Sequence, residues 1–137
     1  MRIKRCLFIA LTLILAVQCI GLAGTIAPTS DSSVTKARLT ISKTSGNSVT
    51  AKAVIEADTV MDSIGVKSLV IQENDGSGWQ PVKGPVTNLK VSARGNTVTL
   101  SFTGTPGYRY RAKGTLYAAK SGYPTYSVAK TSGTVTR

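Results

Sequence analysis

The chain has 137 residues with 17 Lys or Arg against six Asp or Glu, a net charge of +11, and no histidine. Its two cysteines, Cys6 and Cys19, both lie near the N-terminus. Beyond residue 19 these counts exclude Ser-His and Cys-His nucleophilic machinery and the common zinc sites.

The opening "MRIKR" is a short positive segment, followed by a charge-free apolar run from Cys6 to Ala23. Gly21 and Ala23 supply small residues at the −3 and −1 positions of a cleavage site, so residues 1–23 read as a secretory signal peptide. The competing reading is an uncleaved anchor, because the apolar run is just long enough to cross a bilayer. Gln18 and the polar "TSDSS" that follows favour cleavage. Gln18 also argues against lipid attachment at Cys19, since a small residue is expected before a lipidated cysteine. Cleavage would remove both thiols and release the protein, secreted or surface-associated, with a fold that depends on its core alone. Residues 24–35, "GTIAPTSDSSVT", read as a flexible N-terminal arm.

From residue 36 the chain is rich in Thr, Ser, Val and Gly, and its apolar residues alternate with period two. "KARLTIS" puts Ala37, Leu39 and Ile41 on one face. "NSVTAKAVIEA" does the same with Val49, Ala51, Ala53 and Ile55, and Ser45–Asn47 forms a hairpin turn between the two runs. "SIGVKSLVIQE" places Ile64, Val66 and Val70 on one side and Leu69 and Ile71 on the other, as expected of a central strand buried on both faces. "NDGSG" turns the chain into "WQPV", an edge strand because Pro81 has no N–H to give. "VTNLKVS" and "NTVTLSF" follow, joined by an expected tight turn at Arg94–Asn96, with Val98, Leu100 and Phe102 inward. "YRYRAKGTLYA" and "TYSVAK", the latter open to continuation through the terminal "GTVT", complete seven or eight short strands, an antiparallel β-sandwich or small barrel over residues 36–137.

The stretch "TPGYRYRAKGTLYAAK" combines tyrosines with Arg and Lys. Its Pro106 and Gly107, followed at Tyr110 by a tyrosine, resemble the turn into the sixth strand of immunoglobulin-like and fibronectin type III domains. The resemblance implies a tyrosine corner, the Tyr110 hydroxyl bonding back to the preceding loop, with Ala112, Gly114 and Leu116 inward. The tryptophan and cysteine landmarks of those families are missing. More loosely, the chain is similar to small secreted proteins of Gram-positive bacteria whose function is not established.

With Tyr110 inward, Arg109, Arg111 and Lys113 form an outward row of cations spaced about 7 Å apart, with Tyr117 at its end. Lys120 and Lys130 are candidates to join it. The charge is lopsided: residues 24–75 hold all six acids, whereas from Gly76 onward there are nine basic residues and no acid. Arg109, Arg111, Lys113, Tyr117 and Lys120 are therefore the candidate anion-binding residues. The simpler alternative is a solvated strand face covered by Arg and Lys stems. The partner implied is an anionic wall polymer, lipid or glycan outside the cell. A secretory address and an inward Tyr110 argue against nucleic acid, whose single strands stack on exposed aromatics.

Glu56, Asp58 and Asp62 read as one solvated loop, and Glu73 and Asp75 as turn residues. "ENDGSG" lacks the spacing of a calcium loop. No metal or cofactor is implied, and no enzyme. Two other classes remain: a cationic membrane-active antagonist of competing bacteria, which a dye-release assay would reveal, and a structural subunit pairing through a sheet edge.

Overall fold

The computed structural model describes residues 33–137. The expected signal peptide and the arm up to residue 32 lie outside the described residues. Six strands follow one another: β1 (Val34–Lys43), β2 (Ser48–Asn74), β3 (Trp79–Thr103), β4 (Arg109–Ala119), β5 (Tyr126–Thr131) and β6 (Val135–Thr136). All pairings are antiparallel and join the strands in one sheet, and the described residues contain no helix. β1 takes Val34 and Thr35 from the stretch expected to be an arm. Val34 stands opposite Ala57, and Ser33 O accepts the Asp58 N–H at 2.9 Å.

The count falls short of seven or eight because expected strands are fused, two of them in β2 and three in β3. β2 and β3 are long strands that run side by side through a bend. Glu56 faces Gly95, and the next partners are Met61 and Ala93, so residues 57–60 of β2 oppose Arg94 alone. The excess forms a bulge and turns both strands together, as bulges do. Ser92 adopts a left-handed φ of 49° in the same corner. Arg94–Asn96 is therefore strand, and the expected loop holding Glu56, Asp58 and Asp62 is strand as well. Asn96 fastens the bend from inside: its buried Nδ2 donates to Ile64 O and Asn88 O at 3.2 Å and to Asn88 Oδ1 at 3.1 Å.

Before the bend, β2 lies between β1 and the end of β3; after it, between β4 and the start of β3, with β5 beyond β4. The sheet curls so that β1 comes against β4, β5 and β6 without pairing with them. The core lies inside the curl. One half contributes Leu39, Val49, Ala51, Ala53, Ile55, Val98 and Leu100. The other contributes Ile64, Val66, Leu69, Ile71, Leu116 and the Tyr110 ring, each with no exposed surface. Burial of these apolar side chains is the main stabilising term in a chain without cysteines here.

One expectation is corrected by a bulge. Ile64 pairs with Ala118 and Val66 with Leu116, but the register slips at Lys67–Ser68, after which Leu69 pairs with Gly114 and Ile71 with Ala112. Directly paired residues share a face. All four apolar residues therefore point inward, and the apparent two-sided burial is a change of phase. Gly114 is the residue that allows it, because a Cβ there would stand 2.7 Å from Ser68 O.

The loop before β4 is fixed by Tyr110. Its hydroxyl accepts the Thr105 N–H at 2.7 Å and donates to Glu73 Oε2 at 2.6 Å. Gly107 turns the loop with φ 87°. The Phe102 ring lies against Tyr110, centroids 6.1 Å apart.

Candidate functional site

The outer face of the second half of the sheet is set by the alternation of β4. Tyr110, Ala112, Leu116 and Ala118 are buried, so Arg109, Arg111, Lys113, Thr115 and Tyr117 stand on the other side. Pairing supplies their neighbours: Arg109 lies opposite Asn74, Arg111 opposite Gln72 and Lys113 opposite Val70. Across β2, Asn74 faces Trp79 and Gln72 faces Pro81. The hairpin turn between β2 and β3 thus carries Trp79 to the same end of the face as the two arginines.

There the two guanidinium groups meet one indole. Arg111 Cζ lies 4.2 Å from the centroid of the Trp79 ring, and Arg109 Cζ lies 5.7 Å from it. Arg111 Nε also donates to Gln72 Oε1 at 2.8 Å, so this side chain is held from two directions. Guanidinium stacking on indole is favourable and leaves the edge N–H groups free to bind oxygen. Among the described residues the one ion pair is Lys36 with Glu56 at 3.5 Å, so no carboxylate pairs with Arg109, Arg111 or Lys113. Two cations held together without a counter-charge raise the local positive potential and attract anions.

Beyond the arginines runs a shallow groove of about 330 Å³, lined by Ser68, Val70, Lys113, Thr115, Ala129 and Thr131 among others. At its far end Lys67 Nζ stands 4.1 Å above the Tyr117 ring. The face therefore carries a cation–aromatic cluster at each end, with Lys113 and hydroxyl groups between them.

The remaining candidates are placed elsewhere. Lys120 follows the last residue of β4 and bonds Thr59 Oγ1 at 2.9 Å, its Nζ 5.0 Å from the Tyr123 ring, so it belongs to the bent end of the sheet. Lys130 pairs with Gly114 and so leaves the row of Lys113, yet it borders both the groove and the gap toward Ala37–Thr40 of β1. Pro106 and Gly107 are exposed turn residues, and their part is to bring Tyr110 into position.

Trp79, Gln72 and Lys67 were not singled out by the sequence. A symmetric turn at 75–78 would have put Trp79 opposite Asn74, but that β4 lies on the other side of β2 is a long-range fact. The turn itself is built from its own side chains. Asn74 Oδ1 accepts from Gly76 N and Gly78 N, and Asp75 Oδ1 from the Ser77 amide and hydroxyl. Those two Ser77 bonds, the hydroxyl first, hold the Asp75 carboxyl below its ordinary pKa. No group of three His, Cys, Asp or Glu placed to hold a metal ion occurs among the described residues.

No protein-family model matches the chain, and no curated protein matches it.

Proposed function

We propose that this protein is a secreted, non-enzymatic binding module that takes an anionic extracellular or cell-wall polymer on the outer face of β4. The observation that carries the reading is the convergence of Arg109 and Arg111 on Trp79, with no carboxylate paired to either. A solvated strand face needs no such arrangement: Arg111 spends side-chain entropy on two simultaneous contacts. Held in place, its fork meets a phosphate, sulfate or carboxylate with less left to lose.

The frame is, in this reading, an immunoglobulin-like sandwich in which β2 and β3 each contribute a strand to both layers. Two features support it: the bond from Thr105 N to the Tyr110 hydroxyl, and the grouping of β1, early β2 and late β3 opposite late β2, β4 and β5.

The test is binding of the protein to purified anionic polymers at low salt. The wild type should bind with an affinity that falls as salt rises. Simultaneous Arg109→Glu, Arg111→Glu and Lys113→Glu should abolish binding. Unchanged binding by that triple variant would remove the basis of the reading.

A further inference from the structure

Strand β4 presents its cations in single file. Arg109, Arg111 and Lys113 occupy alternate positions on its outer face, about 7 Å apart. Past Thr115 the file is continued by Lys67, whose Nζ stands 4.1 Å above the Tyr117 ring. From Arg109 to Tyr117 the track is about 27 Å of extended chain. The side chains beside it carry no charge: Asn74, Gln72, Val70 and Ser68 face β4 from β2, and Thr131 and Ala129 from β5. The acids among the described residues are engaged or placed elsewhere. Glu56, Asp58 and Asp62 belong to the bend, Glu73 accepts from the buried Tyr110 hydroxyl, and Asp75 is held by Ser77 in the turn.

Two features narrow the chemistry of a polymer that fits this track. The first is that neither aromatic ring is bare. Arg109 and Arg111 lie over Trp79, Lys67 lies over Tyr117, and both rings are half-buried. A sugar ring or nucleobase recognised by stacking requires an open aromatic face, which this track does not offer. It offers guanidinium forks, ammonium groups and the hydroxyls of Ser68, Thr115 and Thr131 along the groove. A phosphodiester suits them, because it carries one charge on two free oxygens that an arginine fork takes together. The second feature is spacing. Cations on alternate residues of a strand recur about every 7 Å. Phosphates joined through a three-carbon polyol recur at nearly that distance along an extended chain. Phosphates bridged by a single oxygen lie too close to meet one cation each, and charges on alternate rings of a polysaccharide lie farther apart.

We propose that the polymer bound by this face is a phosphodiester chain of short polyol units, laid lengthwise along β4. Successive phosphates meet Arg109, Arg111 and Lys113, the next lies over the Ser68 and Thr115 hydroxyls, and the one after meets Lys67. The track is thus filled by about five phosphates. The proposal rests on the reading of the outer face as an anion-binding surface, and adds to it a ligand chemistry, a chain direction and Lys67 as a further binding residue.

The experiment is titration of the protein, as recovered from its producing cells, at low salt with poly(glycerol phosphate) oligomers of two, five and ten phosphates. Polygalacturonate and oligothymidylate of ten charges serve as comparisons, and fluorescence of Trp79, the single tryptophan, reports binding. Affinity should rise about tenfold or more from two phosphates to five, and by less than about threefold from five to ten. Lys67→Ala should weaken the five-phosphate oligomer by about threefold or more and leave the two-phosphate oligomer unchanged, because the short chain seats at the arginines. The Lys67 side chain is exposed, and Thr87 Oγ1 bonds the Lys67 carbonyl rather than its side chain, so the fold is not at risk. Polygalacturonate or oligothymidylate binding as tightly as the phosphate oligomer of equal charge would overturn the proposal. So would a Lys67→Ala variant that binds both lengths as the wild type does, or loses both equally. If the triple Arg109, Arg111 and Lys113 reversal still abolishes binding in those cases, the anion-binding face stands and only the ligand chemistry fails. If the reversal leaves binding unchanged, both fail.

Discussion

Tyr110→Phe removes one oxygen and keeps the ring, which isolates what the corner contributes. That oxygen accepts the Thr105 N–H at 2.7 Å and donates to Glu73 Oε2 at 2.6 Å. A bond to a neutral amide is worth about 0.5–1.5 kcal/mol and one to a charged carboxylate about 1.5–3 kcal/mol. Thr105 is exposed and Glu73 half-buried, so both recover part of the loss from water. A net cost of about 2–3 kcal/mol follows, which in a domain of roughly this size lowers Tm by about 10–15 °C. Urea unfolding of the two proteins at pH 7 measures it directly, and a cycle with Glu73→Gln separates the two bonds. Burial first, and then the Glu73 bond, hold the Tyr110 phenol above its ordinary pKa. The neutral form is thus the one the fold favours. Its contribution is intact below the unfolded phenol's pKa of about 10 and is lost as pH rises through the folded value. The gap between wild type and Tyr110→Phe should therefore narrow above pH 10. A variant within about 0.5 kcal/mol of wild type at pH 7 would show that the hydroxyl does not hold the loop.

Arg111→Lys keeps the charge but loses the planar fork stacked on Trp79, and it should weaken polymer binding by about tenfold. Titration followed by Trp79 fluorescence measures this, and equal affinity would mean that charge alone matters. Asn96→Ala leaves the carbonyls of Ile64 and Asn88 without their donor inside the bend, a loss of about 2–3 kcal/mol readable in the urea midpoint. Gly65→Ala would place a Cβ 2.1 Å from Asn88 O, a backbone atom, and should cost about 3 kcal/mol or more in the same assay.

The inward sets Ala37–Leu39–Ile41, Val49–Ala51–Ala53–Ile55 and Val98–Leu100–Phe102 were legible because each lies within a run of unbroken alternation. Each meets its partners face to face in the structure. The outward placing of Arg109, Arg111 and Lys113 followed in the same way once Tyr110 was taken as buried. Where alternation is interrupted, the sequence misleads. Leu69 and Ile71 fall out of phase with Ile64 and Val66 by one residue, and nothing local distinguishes a second buried face from a bulge at Lys67–Ser68. The bend was misread for a related reason. "RGN" has the composition of a turn, yet long-range pairing keeps Gly95 opposite Glu56 and carries both strands around the corner.

The candidate site divides along the same line. By itself the sequence determined which side of β4 each residue occupies, because a strand's side-chain period is two whatever its neighbours are. Only the tertiary structure decided what stands beside those residues. Trp79 and Gln72 reach Arg111 because β2 runs between β3 and β4, and Lys130 leaves the row because its register sets it opposite Gly114. Cross-strand neighbours are separated by dozens of residues, and a single-residue slip reverses every one of them.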